Sequence, residues 1–235
     1  MKLLFINTAS AQNAVIDVAE QAGEEKTLSI LELMTSGGIG GQLIMLTLSI
    51  LSVVAIYIFV ERFLTIRKAG EKDAAFMNGV KDSIQKSDLA TAKALCVNTD
   101  SPIARMLEKG IARIGRPLND ISAAVENVGK LETYKLEKNL ATLATISGAA
   151  PMIGFLGTVI GMILAFHEMA SAGGQVNPAM LAGGIYTAMT TTVAGLVVGI
   201  MAYLGYNLLV AKVEDVVFQM EASSTEFIDL LHEPA

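Results

Sequence analysis

The chain is patterned as three long charge-free stretches separated by segments rich in charged residues. The stretches cover residues 33–60, 139–166 and 169–211. A helix needs about 20 predominantly apolar residues to cross the hydrocarbon core of a bilayer, and each stretch is long enough. The pattern therefore predicts three transmembrane helices, called spans 1, 2 and 3, at 41–61, 142–167 and 180–209.

The basic residues predict how these spans are oriented. All 17 Lys and Arg residues except Lys2 and Lys26 lie at 62–141 or 210–235. Because basic residues concentrate in cytoplasmic segments, we predict that both of these segments are cytoplasmic. The N-terminal segment 1–40 and the turn at 168–179 are then on the outer side of the membrane. The short apolar run after Met1 falls below the usual signal-peptide core of about 7–15 residues, so we interpret 1–40 as an uncleaved external tail.

Helix signals recur in the cytoplasmic segments. Asp88 and the pair Ser101-Pro102 are typical of helix starts, and Gly115 is typical of a stop. From 119 onward the helical spacing gives an apolar stripe of Ile121, Ala124, Val125, Val128, Leu131, Leu136 and Leu140. With no strong breaker before span 2, we predict one long helix that runs from the cytoplasm into the membrane.

Span 3 is predicted to continue in the same way. The apolar stripe beyond it consists of Val213, Val216, Val217, Met220, Phe227, Ile228 and Leu231. Spans 2 and 3 are thus expected to extend into a cytoplasmic helical bundle. The two stripes pack either against each other and a neighbouring subunit, or only within one chain.

Composition agrees with a membrane protein. Hydrophobic residues make up 52% of the 235 residues and charged residues only 17%, against about 25% charged in soluble domains. This excludes a disordered chain, and the net charge of −6 disfavours nucleic-acid binding. One cysteine and two histidines, with no phosphate-binding loop, give no basis for an enzyme, a cofactor or a metal site.

Spans 2 and 3 are rich in small residues. Gly157 and Gly161 form one GxxxG spacing, and Gly195 and Gly199 form another. Small residues let membrane helices approach closely. The candidate helix-packing residues are Pro151, Gly154, Gly157, Gly161, Gly195 and Gly199.

Hydroxyl groups are interspersed on the same two spans. The candidate pore-lining residues are Ser147, Thr158, Thr187, Thr191 and Thr192. A hydroxyl inside a membrane needs a hydrogen-bond partner. The spacing supports two interpretations: a pore or cavity lined by hydroxyls, or tight packing in which each threonine bonds to helix backbone.

Charged side chains are absent from spans 2 and 3, although intramembrane proton relays usually need an ionisable group. If the chain carries protons, another chain must supply that group. Glu61 and Arg62 stand at the inner end of span 1, where we interpret them as an interfacial pair that anchors the helix end. His167 is interpreted as interfacial rather than as a proton relay.

Two runs carry a resemblance to a known family. Residues 143–162 resemble the second transmembrane helix of the MotA/TolQ/ExbB proton-channel family, and of its ExbB members above all. Their sequence is Leu-Ala-Thr-Ile-Ser-Gly-Ala-Ala-Pro-Met-Ile-Gly-Phe-Leu-Gly-Thr-Val-Ile-Gly-Met. Residues 184–196 resemble the third helix. The order of spans fits as well, and the resemblance covers the chain from about residue 40 to the end.

The resemblance implies a pentamer in the bacterial inner membrane that encloses the single-span helices of an ExbD-like partner. That partner would supply the titrating aspartate, and proton flow would drive transport across the outer membrane through a TonB-like protein. The family's pore threonines fall on Thr158 and Thr192. Many members carry a glutamate where this chain has Thr187. If that glutamate assists proton access in them, this chain does without it or uses Thr187 and water. The alternatives are a TolQ-like envelope-maintenance motor, a gliding or secretion motor, and a passive membrane scaffold.

Overall fold

A computed structural model of the protein describes residues 38–71, 74–171 and 178–232. This part of the chain is helical almost throughout and contains no β-strand, which confirms the predicted all-α class for it. The seven helices are α1 Gly38–Ala69, α2 Ala74–Gln85, α3 Leu89–Asn98, α4 Pro102–Ile111, α5 Leu118–Glu137, α6 Leu140–Ser171 and α7 Pro178–His232. The tail at 1–37 and the centre of the predicted turn, 172–177, lie outside the described residues.

Three long apolar helices match the three predicted spans. α1, α6 and α7 are long and apolar enough to cross a membrane. Residues 41–61 lie within α1, 142–167 within α6 and 180–209 within α7. α7 runs without interruption for 55 residues, so the predicted continuation of span 3 as one helix is confirmed.

Capping groups fix the starts of the short helices. The Asp88 carboxylate accepts a hydrogen bond from the backbone N–H of Thr91 at 3.0 Å. The Ser101 hydroxyl accepts one from the N–H of Ala104 at 3.1 Å, with proline in the first turn of α4. Both predicted starts are confirmed. α4 ends at Ile111, before the predicted stop at Gly115, whose φ of +96° places it in a turn.

The prediction of one unbroken helix through α5 and α6 is wrong. α5 ends at Glu137, Lys138 has the extended ψ of 135°, and Asn139 lies in the left-handed region at φ +66°. A second helix, α6, begins at Leu140. Asparagine is one of the few residues that tolerate this region, so it breaks the helix without glycine or proline.

α7 is the element around which the others pack. Its largest interface is with α6, and it also contacts α1, α4 and α5. The stripe beyond span 3 is buried within the chain at Val213, Val216, Met220 and Phe227. The Phe227 ring lies against Gly110 of α4, where a Cβ atom would overlap it.

The stripe predicted for α5 needs one correction. Leu131, expected on the apolar face, is 61% exposed, whereas Glu132 is only 4% exposed. The buried positions of α5 are Ile121, Ala124, Val125, Gly129, Glu132 and Leu136, which follow helical spacing. The carboxylate of Glu132 therefore lies on the buried face of α5, where the apolar pattern predicts Leu131.

Candidate functional site

The α6–α7 interface brings the backbones of two membrane helices together through glycine. A Cβ atom at Gly154 would lie 2.8 Å from the Thr191 carbonyl oxygen and 3.0 Å from the Gly195 Cα. One at Gly195 would lie 2.6 Å from the Ala150 carbonyl oxygen. Real side chains essentially never come so close, so only glycine permits this crossing.

The other candidate packing residues extend the same interface in both directions. A Cβ atom at Gly161 would lie 2.9 Å from the Ala188 Cβ, and one at Gly157 would overlap the Thr191 hydroxyl. At the other end Gly199 faces the Pro151 ring, which a Cβ would approach to 2.5 Å. The structure thus places all six candidate packing residues at this one interface.

Two threonines of α7 reach across the interface to the same acceptor. The Thr192 hydroxyl donates to the Gly154 carbonyl oxygen at 3.1 Å. The Thr191 hydroxyl lies 3.3 Å from that oxygen and 2.7 Å from the Ala188 carbonyl oxygen of its own helix. Thr191 is only 1% exposed. Its position in the sequence predicts a pore-lining role, but the structure places it inside the interface between the helices.

The remaining hydroxyl candidates are half-buried at the edges of the helices. Thr158 donates to the Phe155 carbonyl oxygen at 2.6 Å, and Ser147 to the Ala144 carbonyl oxygen at 2.7 Å. Both bonds stay within α6. Thr187 lies against α1, with its methyl group 3.6 Å from where a Cβ of Gly41 would be. Thr158 and Thr192 therefore lie about one helical turn apart, because Gly154 precedes Thr158 by four residues.

This arrangement limits what the interface does chemically. The hydroxyls of Ser147, Thr158, Thr191 and Thr192 already donate to backbone carbonyls, but a hydroxyl oxygen also accepts hydrogen bonds. Residues 139–166 and 169–211 hold no charged side chain. The interface thus offers polar contacts to a passing or titrating group but carries no acid or base of its own.

The Glu61–Arg62 pair lies where α1 meets α5. The two side chains form an ion pair, and Arg62 is 6% exposed. An Arg62 guanidinium N–H donates to the Lys135 carbonyl oxygen at 3.1 Å, in the last turn of α5. The pair therefore ties α1 to the last turn of α5. It lies inside α1, which continues to Ala69, and so it does not mark a helix end as the sequence predicts.

A second charged cluster, which the helical spacing does not predict, is centred on Glu132. Its carboxylate accepts hydrogen bonds from Arg105 of α4 and Lys135 of α5, both at 2.7 Å. Burial alone raises the pKa of Glu132, but these two hydrogen bonds outweigh it and hold the pKa below the ordinary value. Arg105 also pairs with Asp100 at 2.7 Å, and Lys68 of α1 pairs with Asp100 at 3.0 Å. The signal that reveals this cluster is a charged residue on the buried face of a helix.

Three apolar helices and a glycine-lined interface without charge define a multi-pass α-helical membrane protein. The sequence profile of the MotA/TolQ/ExbB proton channel family matches residues 98–222, which is more than half of the chain. The chain belongs to this family.

Relatives span two branches of the family. A biopolymer transport protein ExbB homologue from Methanothermobacter thermautotrophicus is 28% identical over 197 residues, covering 82% of this chain and 67% of its own length. TolQ of the Tol-Pal system from Pseudomonas aeruginosa is 29% identical over 215 residues, covering 87% and 93%. The biopolymer transport protein ExbB from Aquifex aeolicus is 38% identical over 111 residues, covering 46% and 74%.

Proposed function

We propose that this chain is the ExbB-like channel subunit of a motor in the bacterial inner membrane. It acts with an ExbD-like single-span partner and uses the proton motive force to energise TonB-dependent outer-membrane transport. Family membership and the ExbB relatives support this proposal. The observation that carries it is an interface lined by hydroxyls, with no charged group in the charge-free stretches that hold the membrane parts of α6 and α7.

The mechanism follows from the cost of charge in a membrane. An ionised carboxylate at the bilayer centre costs about 3 kcal/mol on insertion scales. A partner aspartate is therefore protonated where it meets apolar side chains and ionises where hydroxyls meet it. We assign that second environment to Thr158 and Thr192, with Ser147 and Thr187 at its edges. A membrane potential of 100 mV is worth about 2.3 kcal/mol per charge, which is enough to bias such steps.

Assembly and orientation belong to the same proposal. Five copies surround the partner helices, with residues 1–40 and 168–179 in the periplasm. Residues 62–141 and 210–235 then face the cytoplasm, as the distribution of basic residues predicts. The ring places one edge of each α6–α7 pair toward the partner.

The double variant Thr158→Val/Thr192→Val tests the pore assignment. We expect partner-dependent proton flux into liposomes to fall at least tenfold, since valine keeps the volume of threonine but removes the hydroxyl. Thr47→Val is the matched control, because the Thr47 hydroxyl on α1 is exposed and bonds only to the Leu43 carbonyl oxygen. Full flux in the double variant, with the complex assembled, would refute the pore assignment. Equal flux without the partner would refute the partner's role.

A TolQ-like output is the second candidate, because the Pseudomonas aeruginosa TolQ matches over 93% of its length. The two outputs separate in a strain that lacks the gene. Loss of TonB-dependent uptake with an intact envelope supports the ExbB-like assignment. Detergent sensitivity with normal uptake supports envelope maintenance instead. A passive scaffold would carry no proton flux in the liposome experiment.

A further inference from the structure

An apolar groove of about 380 Å³ runs between α1 and α7 within the membrane part of the chain. Ile56 and Phe59 of α1 form one wall, and Met201, Leu204 and Leu208 of α7 form the other. Small residues, among them Ala55, Ala202 and Gly205, make its floor. The groove is therefore lined almost entirely by hydrocarbon.

A lysine stands at one end of this groove. Lys212 follows Leu208 by one helical turn, and Phe63 follows Phe59 by one turn, so both continue the walls along the same faces. The Lys212 ammonium lies 5.3 Å from the centre of the Phe63 ring. Phe63 in turn packs against Phe59, with ring centres 5.9 Å apart. The hydrocarbon groove thus leads directly to a cation held over an aromatic ring.

Lys212 has no acidic partner within the described ranges. The ion pairs found there engage other cations, including Lys68 with Asp100 and Arg62 with Glu61. Lys212 is half-buried, and its aromatic contact fixes its position without neutralising its charge. An anion is the complementary ligand at this end of the groove.

We propose that this groove binds an anionic phospholipid, with one acyl chain between α1 and α7 and the phosphate on Lys212. The cation at the end of a hydrocarbon lining favours an anionic amphiphile over a second apolar helix. A groove of 380 Å³ is at the small end of ligand sites, which run from about 300 to 1,000 Å³. A phospholipid bound at the basic end of the membrane helices would place its acyl chain in the groove and its phosphate at Lys212, toward water.

The experiment is native mass spectrometry of the purified full chain incubated with palmitoyl-oleoyl phosphatidylglycerol or, separately, with palmitoyl-oleoyl phosphatidylcholine. We expect phosphatidylglycerol to be retained and phosphatidylcholine to be lost. Lys212→Gln lowers the apparent affinity for phosphatidylglycerol about fivefold, the effect of one basic residue at an anionic surface. Lys212→Arg restores retention, because it keeps the charge. Lys130→Gln, which removes an exposed cation paired with Glu126, leaves retention unchanged.

A second measurement locates the bound lipid. A phosphatidylglycerol with a photoreactive acyl chain should label residues 52–59 and 198–208, and Ser52→Phe should abolish that labelling by filling the groove. Equal retention of both lipids, or unchanged retention in Lys212→Gln, would overturn the proposal. So would efficient disulfide formation between copies that carry Ile56→Cys and Leu204→Cys, because the groove would then be covered by a second chain.

Discussion

At the residue scale, glycine decides how α6 and α7 meet. Gly154 and Gly195 face each other so closely that backbone atoms, rather than side chains, form the contact. That approach also brings the Thr192 hydroxyl within reach of the Gly154 carbonyl oxygen. The close crossing of the two helices and the position of the Thr192 hydroxyl therefore both depend on glycine at 154 and 195.

Gly195→Ala should destabilise the chain in detergent by about 1–3 kcal/mol, the usual cost of overpacking. Its new methyl group would meet the Ala150 carbonyl oxygen and the Gly154 backbone, neither of which can move as a side chain does. The midpoint of thermal unfolding measures the effect. Gly148→Ala is the matched control on the same pair of helices, since no atom lies within 4 Å of its Cβ position. Equal midpoints for the two variants would contradict the close crossing.

The buried carboxylate of Glu132 gives a prediction in pH. Its folded-state pKa lies below the ordinary value of 4.5, so its contribution is fully present above pH 4.5. That contribution is lost as pH falls from 4.5 through the lower folded-state pKa. Glu132→Gln should therefore lower the free energy of unfolding at pH 7 by about 1–3 kcal/mol and flatten its acid dependence.

Glu126→Gln provides the comparison for Glu132. It lies on the same helix and pairs with Lys130, but both side chains are largely exposed. Exposed pairs contribute little, so this variant should unfold like the parent chain. An acid dependence that is the same in Glu132→Gln and the parent would show that the cluster does not stabilise the fold.

At the scale of elements, the helices differ in how far sequence predicts them. The three spans are evident because charge-free stretches of this length are rare outside membranes. The glycine spacings likewise indicate where α6 and α7 touch. The break at Asn139 is not evident, since a single asparagine between two helical stretches is ambiguous. The positive φ of Asn139, which defines the break, becomes evident only in the structure.

The Glu132 cluster is hidden for a related reason. Arg105 is 27 residues away from Glu132, and only the packing of α4 on α5 brings them together. Helical spacing identifies an apolar face, but it does not tell whether a charged residue on that face has a partner. The sequence therefore predicts that Glu132 lies near the buried face of α5, but it does not predict which residue pairs with it.

The α5–α6 break leads to a prediction of its own. Asn139→Gly should keep the chain functional and stable, because glycine adopts φ +66° without strain. Asn139→Val should reduce both stability and proton flux, since a β-branched residue strongly resists this conformation. Unfolding midpoints and liposome flux, measured on the same preparations, test the pair. Wild-type behaviour of Asn139→Val would show that the break is not required.

At the scale of the whole molecule, the proposal concerns how copies combine. Native mass spectrometry of the chain co-purified with its single-span partner should give five copies of this chain. The expectation comes from the resemblance to ExbB-like subunits. Because residues 139–166 and 169–211 hold no charged side chain, we propose that the partner supplies the carboxylate. A monomer or dimer in the active complex would contradict the ring.

The length of α7 has a mechanical consequence. A helix of 55 residues is about 80 Å long, while the hydrocarbon core of a bilayer is about 30 Å thick. The rest of α7 continues beyond that thickness as one helix and packs against the short helices, with Phe227 against Gly110 of α4. A tilt of only about 5° at one tip displaces the other by roughly 7 Å. In the proposed motor, a small tilt of α7 near Thr192 would therefore move the far end of the same helix by several ångströms.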